Sequence, residues 1–151
     1  MLTAPMRDLI GHHSLGLVAT VTPEGAPAVS PKGTFLVHDE RTLAFSNIWS
    51  PGTMRNIAHN PAVEANFIDV LHRTACRIRG RAEIRGGAEL PDGLHARFMA
   101  KWPALADMMK GFVLIAIADA KFLRSPVYDI GEEAGALAAH WAKYYSALAR
   151  E

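Results

Sequence analysis

The chain has one cysteine, Cys76, in 151 residues, so no intrachain disulfide can form, a pattern expected of a cytoplasmic protein. It also lacks an excess of either charge. Its 16 Lys and Arg against 15 Asp and Glu give a formal net charge of +1, which removes the electrostatic case for nucleic acid or an anionic membrane as partner. No apolar run is long enough to span a bilayer, since the longest, Phe112 to Ala118, is only a short strand's length. Met1 to Gly11 carries Arg7 and Asp8 where a signal peptide needs an unbroken apolar region. Internal repeats, low-complexity tracts and linkers are absent too. What is present is a chain that is 50% hydrophobic and 21% charged, the balance of one globular domain over residues 1–151 with a real core.

The order of strand and turn signals predicts a mainly β, α+β fold. A short helix, Pro5 to His13 with Thr3 as its cap, is followed by the β-rich run Leu15 to Thr22 and the turn Pro23-Glu24-Gly25. Ala26 to Val37 resumes as a second strand, so the first two form a hairpin. The polar turn His38 to Arg41 leads into Thr42 to Asn47. Further strands are expected at Pro61 to Val70, Cys76 to Arg85 and Phe112 to Phe122, the last being the most apolar and the most buried. Asp92 to Lys110 is helical but broken at Pro103, and Ala134 to Arg150 is an amphipathic helix with Leu137, Trp141, Tyr144 and Leu148 on one face. Six strands with tight turns and peripheral helices point to a small antiparallel barrel.

The segment from Leu43 to Pro61 reads as a strand running into an anion site. Ser50 is a good helix N-cap, Pro51 suits the first helical position, and Gly52 has no side chain to hold a ligand off the backbone. Asn60 before Pro61 closes a helix of about two to three turns. The free N–H groups and the dipole of such a helix attract phosphate, and Arg55, one turn further in, can add a guanidinium. An ordinary capped surface helix would show the same pattern.

Cys76 to Arg85 alternates strictly. Cys76, Ile78, Gly80, Ala82 and Ile84 form one face, and Arg77, Arg79, Arg81, Glu83 and Arg85 the other. The arginine row is a solvated face, a wall for an anionic cofactor or a source of ion pairs across a dimer. The remaining candidates carry less. Adjacent His12 and His13 point in different directions, and His59, His72, His95 and His140 have no zinc-ligand spacing, so no metal site is expected. Cys76 reads as a small core residue rather than a nucleophile, and Ser30 lies in no nucleophile elbow. Trp49 either covers a ligand ring or packs on a helix.

Three motifs in order, Gly25-Ala-Pro-Ala-Val-Ser-Pro-Lys32, Phe45-Ser-Asn47 and Arg55-Asn-Ile-Ala-His-Asn-Pro61, resemble the pyridoxamine 5'-phosphate oxidase-like FMN-binding split-barrel family over about Leu15 to Ile84. That resemblance implies a homodimer of six-stranded split barrels with an FMN in each of two clefts at the subunit interface. On it, Val29, Ser30, Pro31 and Lys32 match the strand flanking the isoalloxazine ring. Ser46 and Asn47 match the strand end at the ribityl-phosphate. Ser50, Gly52, Thr53 and Arg55 belong to the phosphate helix. Where the family commonly has a lysine two residues before the arginine, this chain has Thr53, so a charge-assisted contact is replaced by a neutral one. Lys32, or an arginine from the strand Cys76–Arg85 of either subunit, is the candidate source of the missing charge. The implied activity is FMN-dependent oxidoreduction of a small-molecule substrate by hydride transfer at flavin N5, with Trp49 and Trp141 near the rim. No side chain stands out as an obligatory acid or base, so no catalytic residue is named. F420 is the alternative cofactor, and a non-catalytic flavin, F420 or haem binding module on the same fold is the alternative function.

Overall fold

Alternation along the chain builds the sheet. In the computed structural model, which describes residues 1–150, Val18 and Thr20 of the strand β1 (Gly16–Val21) are buried while Leu17 faces out. The other strands are β2 (Pro27–Lys32), β3 (Phe35–Val37), β4 (Thr42–Asn47), β5 (Ala62–Asp69), β6 (Thr74–Arg85) and β7 (Gly111–Arg124). They form one antiparallel sheet in the order β2-β1-β5-β6-β7-β4-β3. β2 and β3 are consecutive in the chain yet occupy opposite edges of this sheet, so it must curl until its edges meet. That is the expected split barrel with one correction: seven strands rather than six. The expected single strand Ala26–Val37 breaks at Gly33-Thr34, where the chain passes from one edge to the other. Pro27 and Pro31 suit β2 to an edge, because neither can donate to a further neighbour.

The barrel interior is filled by Val18, Phe35, Leu43, Phe45, Phe67, Ile78, Val113 and Ile115, none more than 1% exposed. Phe35 closes it, lying edge-on to Phe67 with ring centroids 4.8 Å apart. The helix α1 (Ala4–His12) adds Met6, Leu9 and Ile10 to this core, and α2 (Pro51–His59) adds Ile57. A second cluster lies outside, where Leu94 and Phe98 of α3 (Leu94–Lys101) cover Leu36, Ala44 and Phe112. Pro103 ends that helix as expected and starts a 3-10 segment, Pro103–Met108. The last helix, α4 (Ala134–Leu148), buries Leu137 alone.

Two further expectations need correction. Thr3 precedes α1 but makes no side-chain cap, and Arg7 N donates instead to its backbone carbonyl. β7 is longer than Phe112–Phe122 and is not buried throughout. Val113 and Ile115 lie in the core, whereas Ala116, Ala118, Lys121 and Phe122 are exposed, around and beyond a register shift at Arg79/Gly80 that leaves Ala118 unpaired. At that shift the strands come so close that a Cβ on Gly80 would lie 2.3 Å from the Ala116 carbonyl oxygen.

A carboxylate ties α1 to the β5–β6 turn. Asp69 Oδ1 accepts from the amides of Leu71 at 2.9 Å and His72 at 3.0 Å. Its Oδ2 lies 2.7 Å from His72 Nδ1 and 3.3 Å from His13 Nε2. Burial opposes the charged carboxylate, but the His72 amide and ring, the His13 imidazole and the Leu71 amide outweigh it and hold Asp69 below its ordinary 3.8.

Gly80→Ala should therefore lose about 1–3 kcal/mol in urea unfolding, since the obstruction is backbone and cannot swing aside. Gly11→Ala is the control: its Cβ meets no atom within 4 Å and it lies inside a helix, so it should gain up to about 1 kcal/mol. Equal effects of the two would refute the close approach.

Asp69→Asn should cost about 1.5–3 kcal/mol at pH 7, the scale of hydrogen bonds to a charged group. Because the folded value is depressed, the wild-type advantage is fully present above the ordinary 3.8 and is lost as pH falls through the lower folded value. Thermal melts at neutral pH and near pH 3 check this, and a wild-type–variant gap that does not narrow in acid contradicts it.

Candidate functional site

The end of β4 and the start of α2 leave backbone donors unused. Met54 N makes the first helical bond, 3.1 Å to Ser50 O, so the amides of Gly52 and Thr53 before it have no acceptor within the helix. Ser50 does not cap them, contrary to expectation. Its hydroxyl instead donates to Asn47 Oδ1 at 2.6 Å. The first turn holds no acidic residue, so the positive end of the helix dipole is unopposed. An added Cβ at Gly52 would meet no atom within 4 Å, so the space over these amides is open.

That space is a cleft of about 350 Å³ between α2 and the β1–β2 hairpin. Val29 and Ser30 line one side, and Ser50, Gly52, Thr53 and Arg55 the other. A second compartment of about 280 Å³ adjoins it, lined by Pro31, Lys32, Ser46, Trp102 and Leu105. Trp49 and Ser50 line both, and Trp49 is 87% exposed. Every residue singled out from the sequence on β2, β4 and α2 thus lines one compartment or the other, except Asn47, which lines neither and holds the Ser50 hydroxyl. Ser46 contributes a wall rather than a free donor, because its hydroxyl donates to Thr34 Oγ1 at 2.8 Å while Thr34 donates to its carbonyl at 3.1 Å.

The two cations of the cleft form no ion pair among the described residues, although Glu24 in the β1–β2 turn is near enough to feel the Arg55 charge. Lys32 is 8% exposed, and its ammonium donates to Ser30 Oγ. Burial lowers its pKa from the ordinary 10.5, because no carboxylate offsets the lost hydration. Arg55 is exposed and makes neither an ion pair nor a side-chain hydrogen bond among the described residues. Neither compartment is lined by a His, Asp or Glu.

Several residues here were not legible in the sequence. Asn56, 3% exposed, donates from Nδ2 to Thr20 Oγ1 at 2.9 Å, and its Oδ1 is sealed from solvent without a donor. Its place beside Arg55 on a short helix was the available signal. Trp102 and Leu105 reach the cleft only because the break at Pro103 turns them toward it, which no local pattern reveals. The arginine row of β6 lines neither compartment: Arg79 pairs with Glu64 at 2.5 Å and Arg85 with Glu83 at 2.6 Å on the outer face. Trp141 is likewise not at the rim of this cleft but under Arg73, 3.4 Å from its guanidinium carbon. Cys76 is buried and its thiol is pushed up to about 11, which suits a core residue. Among the described residues no group of three His, Cys, Asp or Glu side chains is placed to hold a metal ion.

The arrangement suits a ligand with an anionic group over the α2 amides and a flat body between Trp49 and the Lys32 compartment. Size alone does not pick this site, because cavities of about 490 and 550 Å³ exist elsewhere. The donor-rich wall does.

A family model described as pyridoxamine 5'-phosphate oxidase matches residues 2–123. No curated protein matches the chain. Among solved structures the chain is similar to HupZ of Group A Streptococcus, at 26% identity and a TM-score of 0.71 over 83% of this chain and 96% of that one. A candidate pyridoxamine 5'-phosphate oxidase from Lactobacillus delbrueckii matches at 26% identity and 0.63, over 80% and 93%. An FMN-binding protein from Syntrophomonas wolfei shares the fold at 13% identity and 0.61, over 80% and 84%. With its curled antiparallel sheet and a family match over most of its length, the chain belongs to the pyridoxamine 5'-phosphate oxidase family of split-barrel proteins.

Proposed function

We propose that this chain is an FMN-dependent oxidoreductase acting on a small molecule. The observation that carries the reading is the pairing of open amides at Gly52 and Thr53 with two cations, Arg55 and Lys32, that form no ion pair among the described residues. A phosphate over α2 would take up the free amides and the Arg55 guanidinium. Thr53, 7% exposed, offers a hydroxyl where a longer cation is usual in the family. Lys32 would face the electron-rich edge of a ring lying along β2, with Trp49 free to close over it. Bound FMN supplies two-electron hydride chemistry at N5, and the protein supplies binding, orientation and exclusion of water.

A second reading has its own support. Neither compartment is lined by a carboxylate or an imidazole, as befits a module that holds a flavin without turnover. Bleaching of the bound flavin's absorbance by NADH or NADPH favours the enzyme. Flavin that binds yet stays oxidised with either donor favours the module.

Arg55→Ala should weaken FMN by about 1.5–3 kcal/mol, roughly ten- to a hundredfold, with little change in the apo melting temperature. Lys32→Met should also weaken FMN, but it should raise the apo melting temperature, because an uncompensated buried ammonium is replaced by an apolar side chain of similar length. FMN titration and thermal melts of both variants read this out. Unchanged affinity in both places the phosphate and ring elsewhere.

The proposed assembly is a cytoplasmic homodimer with the cleft at the subunit interface. Leu15, Leu17, Val29 and Ile68 leave the outer sheet surface partly apolar, at 65%, 40%, 64% and 43% exposure, and Tyr144 and Leu148 on α4 are similarly uncovered. Light scattering at micromolar concentration should give twice the chain mass of 16.4 kDa, and a monomer would overturn this part of the proposal.

A further inference from the structure

A cavity of about 490 Å³ lies between the start of β6, the 3-10 turn Pro126–Ile130 and α4, mostly beyond the family-matched residues 2–123. We infer that it is a binding site for a small apolar carboxylate. It shares no lining residue with the cleft between β2 and α2, so it stands whether or not FMN binds there.

Arg73 is the anion-binding group. Its backbone lies in the left-handed region, with φ 51, which is unfavourable for a side chain of this size. The surrounding structure holds it there. Ser125 N donates to the Arg73 carbonyl at 3.0 Å, and the Tyr128 hydroxyl donates to the carbonyl of His72 next to it. The guanidinium carbon sits 3.4 Å from the centroid of the Trp141 ring. Stacking of this kind occupies a face of the guanidinium and leaves its in-plane N–H donors unused. None of them finds an acceptor among the described residues; Nε is sealed from solvent, and the terminal nitrogens are the donors a ligand in the cavity can reach. A carboxylate entering the cavity would replace water on those terminal donors with a charge-assisted pair.

Much of the remaining wall is apolar, from Val127, Ile130 and Leu137 with the Trp141 ring as floor, and Ser125, Glu132 and His140 are its other polar residues. Ile130 is 82% exposed, so its side chain is free to contact a ligand. The space suits a ligand of aromatic-acid size, within the ordinary range for small-molecule sites. Glu132 is the one carboxylate on the wall. It is exposed and forms no ion pair among the described residues, so solvent screens it, and its charge opposes the ligand only weakly.

Isothermal titration of the full chain with phenylacetate tests the site. Saturable binding is expected by about 10 mM, and phenylacetamide, of the same shape without the charge, should bind at least about tenfold more weakly. Arg73→Gln should lower phenylacetate affinity by about tenfold or more, whereas Glu132→Gln should leave it unchanged or tighten it. The comparison of acid and amide on the wild-type protein keeps the test decisive if Arg73→Gln does not fold. No heat of binding from phenylacetate, equal binding of acid and amide, or weakened binding in Glu132→Gln would each overturn the assignment.

Discussion

Phe35 can close the barrel only because residue 16 has no side chain. A Cβ at Gly16 would lie 2.6 Å from the Phe35 ring and 2.7 Å from Phe67, so the aromatic seal joining one edge of the sheet to the other needs glycine at the start of β1. Closure in turn depends on the chain crossing between edges at Gly33-Thr34, where Thr34 and Ser46 exchange hydrogen bonds. The cleft is assembled at this crossing. It sets Lys32 at the end of β2 beside Ser46 at the end of β4, two residues that no single strand or helix would bring together.

The same crossing explains why charge is concentrated there. Burial of aliphatic and aromatic side chains through the barrel supplies the driving force for folding, at roughly 25 cal/mol per Å² of apolar surface removed from water. Against that background an ammonium with only a serine hydroxyl for a partner is a local liability, as is a short helix whose first amides are unanswered. The two liabilities face adjoining compartments, and neither is answered within the chain. At Asp69 the opposite holds: donors from the β5–β6 turn and from the end of α1 converge on a carboxylate and complete it within the chain. The first arrangement is open to a ligand, the second closed.

Most of the fold was legible because it is written in local periodicity. The alternation of Cys76, Ile78 and Ala82 against a row of arginines placed β6 correctly, and Pro51 and Asn60 bracketed α2. The helix break at Pro103 was legible for the same reason. What could not be read was long-range. The second strand looked continuous because Gly33-Thr34 is a crossing between sheet edges, not a turn with its own chemical signature. Ser50 has the composition of a cap but prefers Asn47, since a side-chain acceptor at 2.6 Å competes with the backbone amides. His13, Asp69 and His72 meet through tertiary packing, and Trp141 lies under Arg73 because α4 folds back on the β5–β6 turn. In the cleft, the residues carried by motifs were legible, while the Asn56–Thr20 contact and the reach of Trp102 and Leu105 depend on how the closed barrel places their elements.

The prolines of β2 have a consequence for association. An uncovered strand edge offers a row of unpaired amides and carbonyls to any passing chain, which is how sheets recruit further strands and grow into fibres. Pro27 and Pro31 remove two amide donors from the β2 rim, and β3, the opposite rim, is only three residues long. Neither rim can template another strand for long. Contacts between copies of this chain are thereby steered to side-chain surfaces, where shape and charge decide the partner, and away from backbone pairing, which accepts almost any sequence.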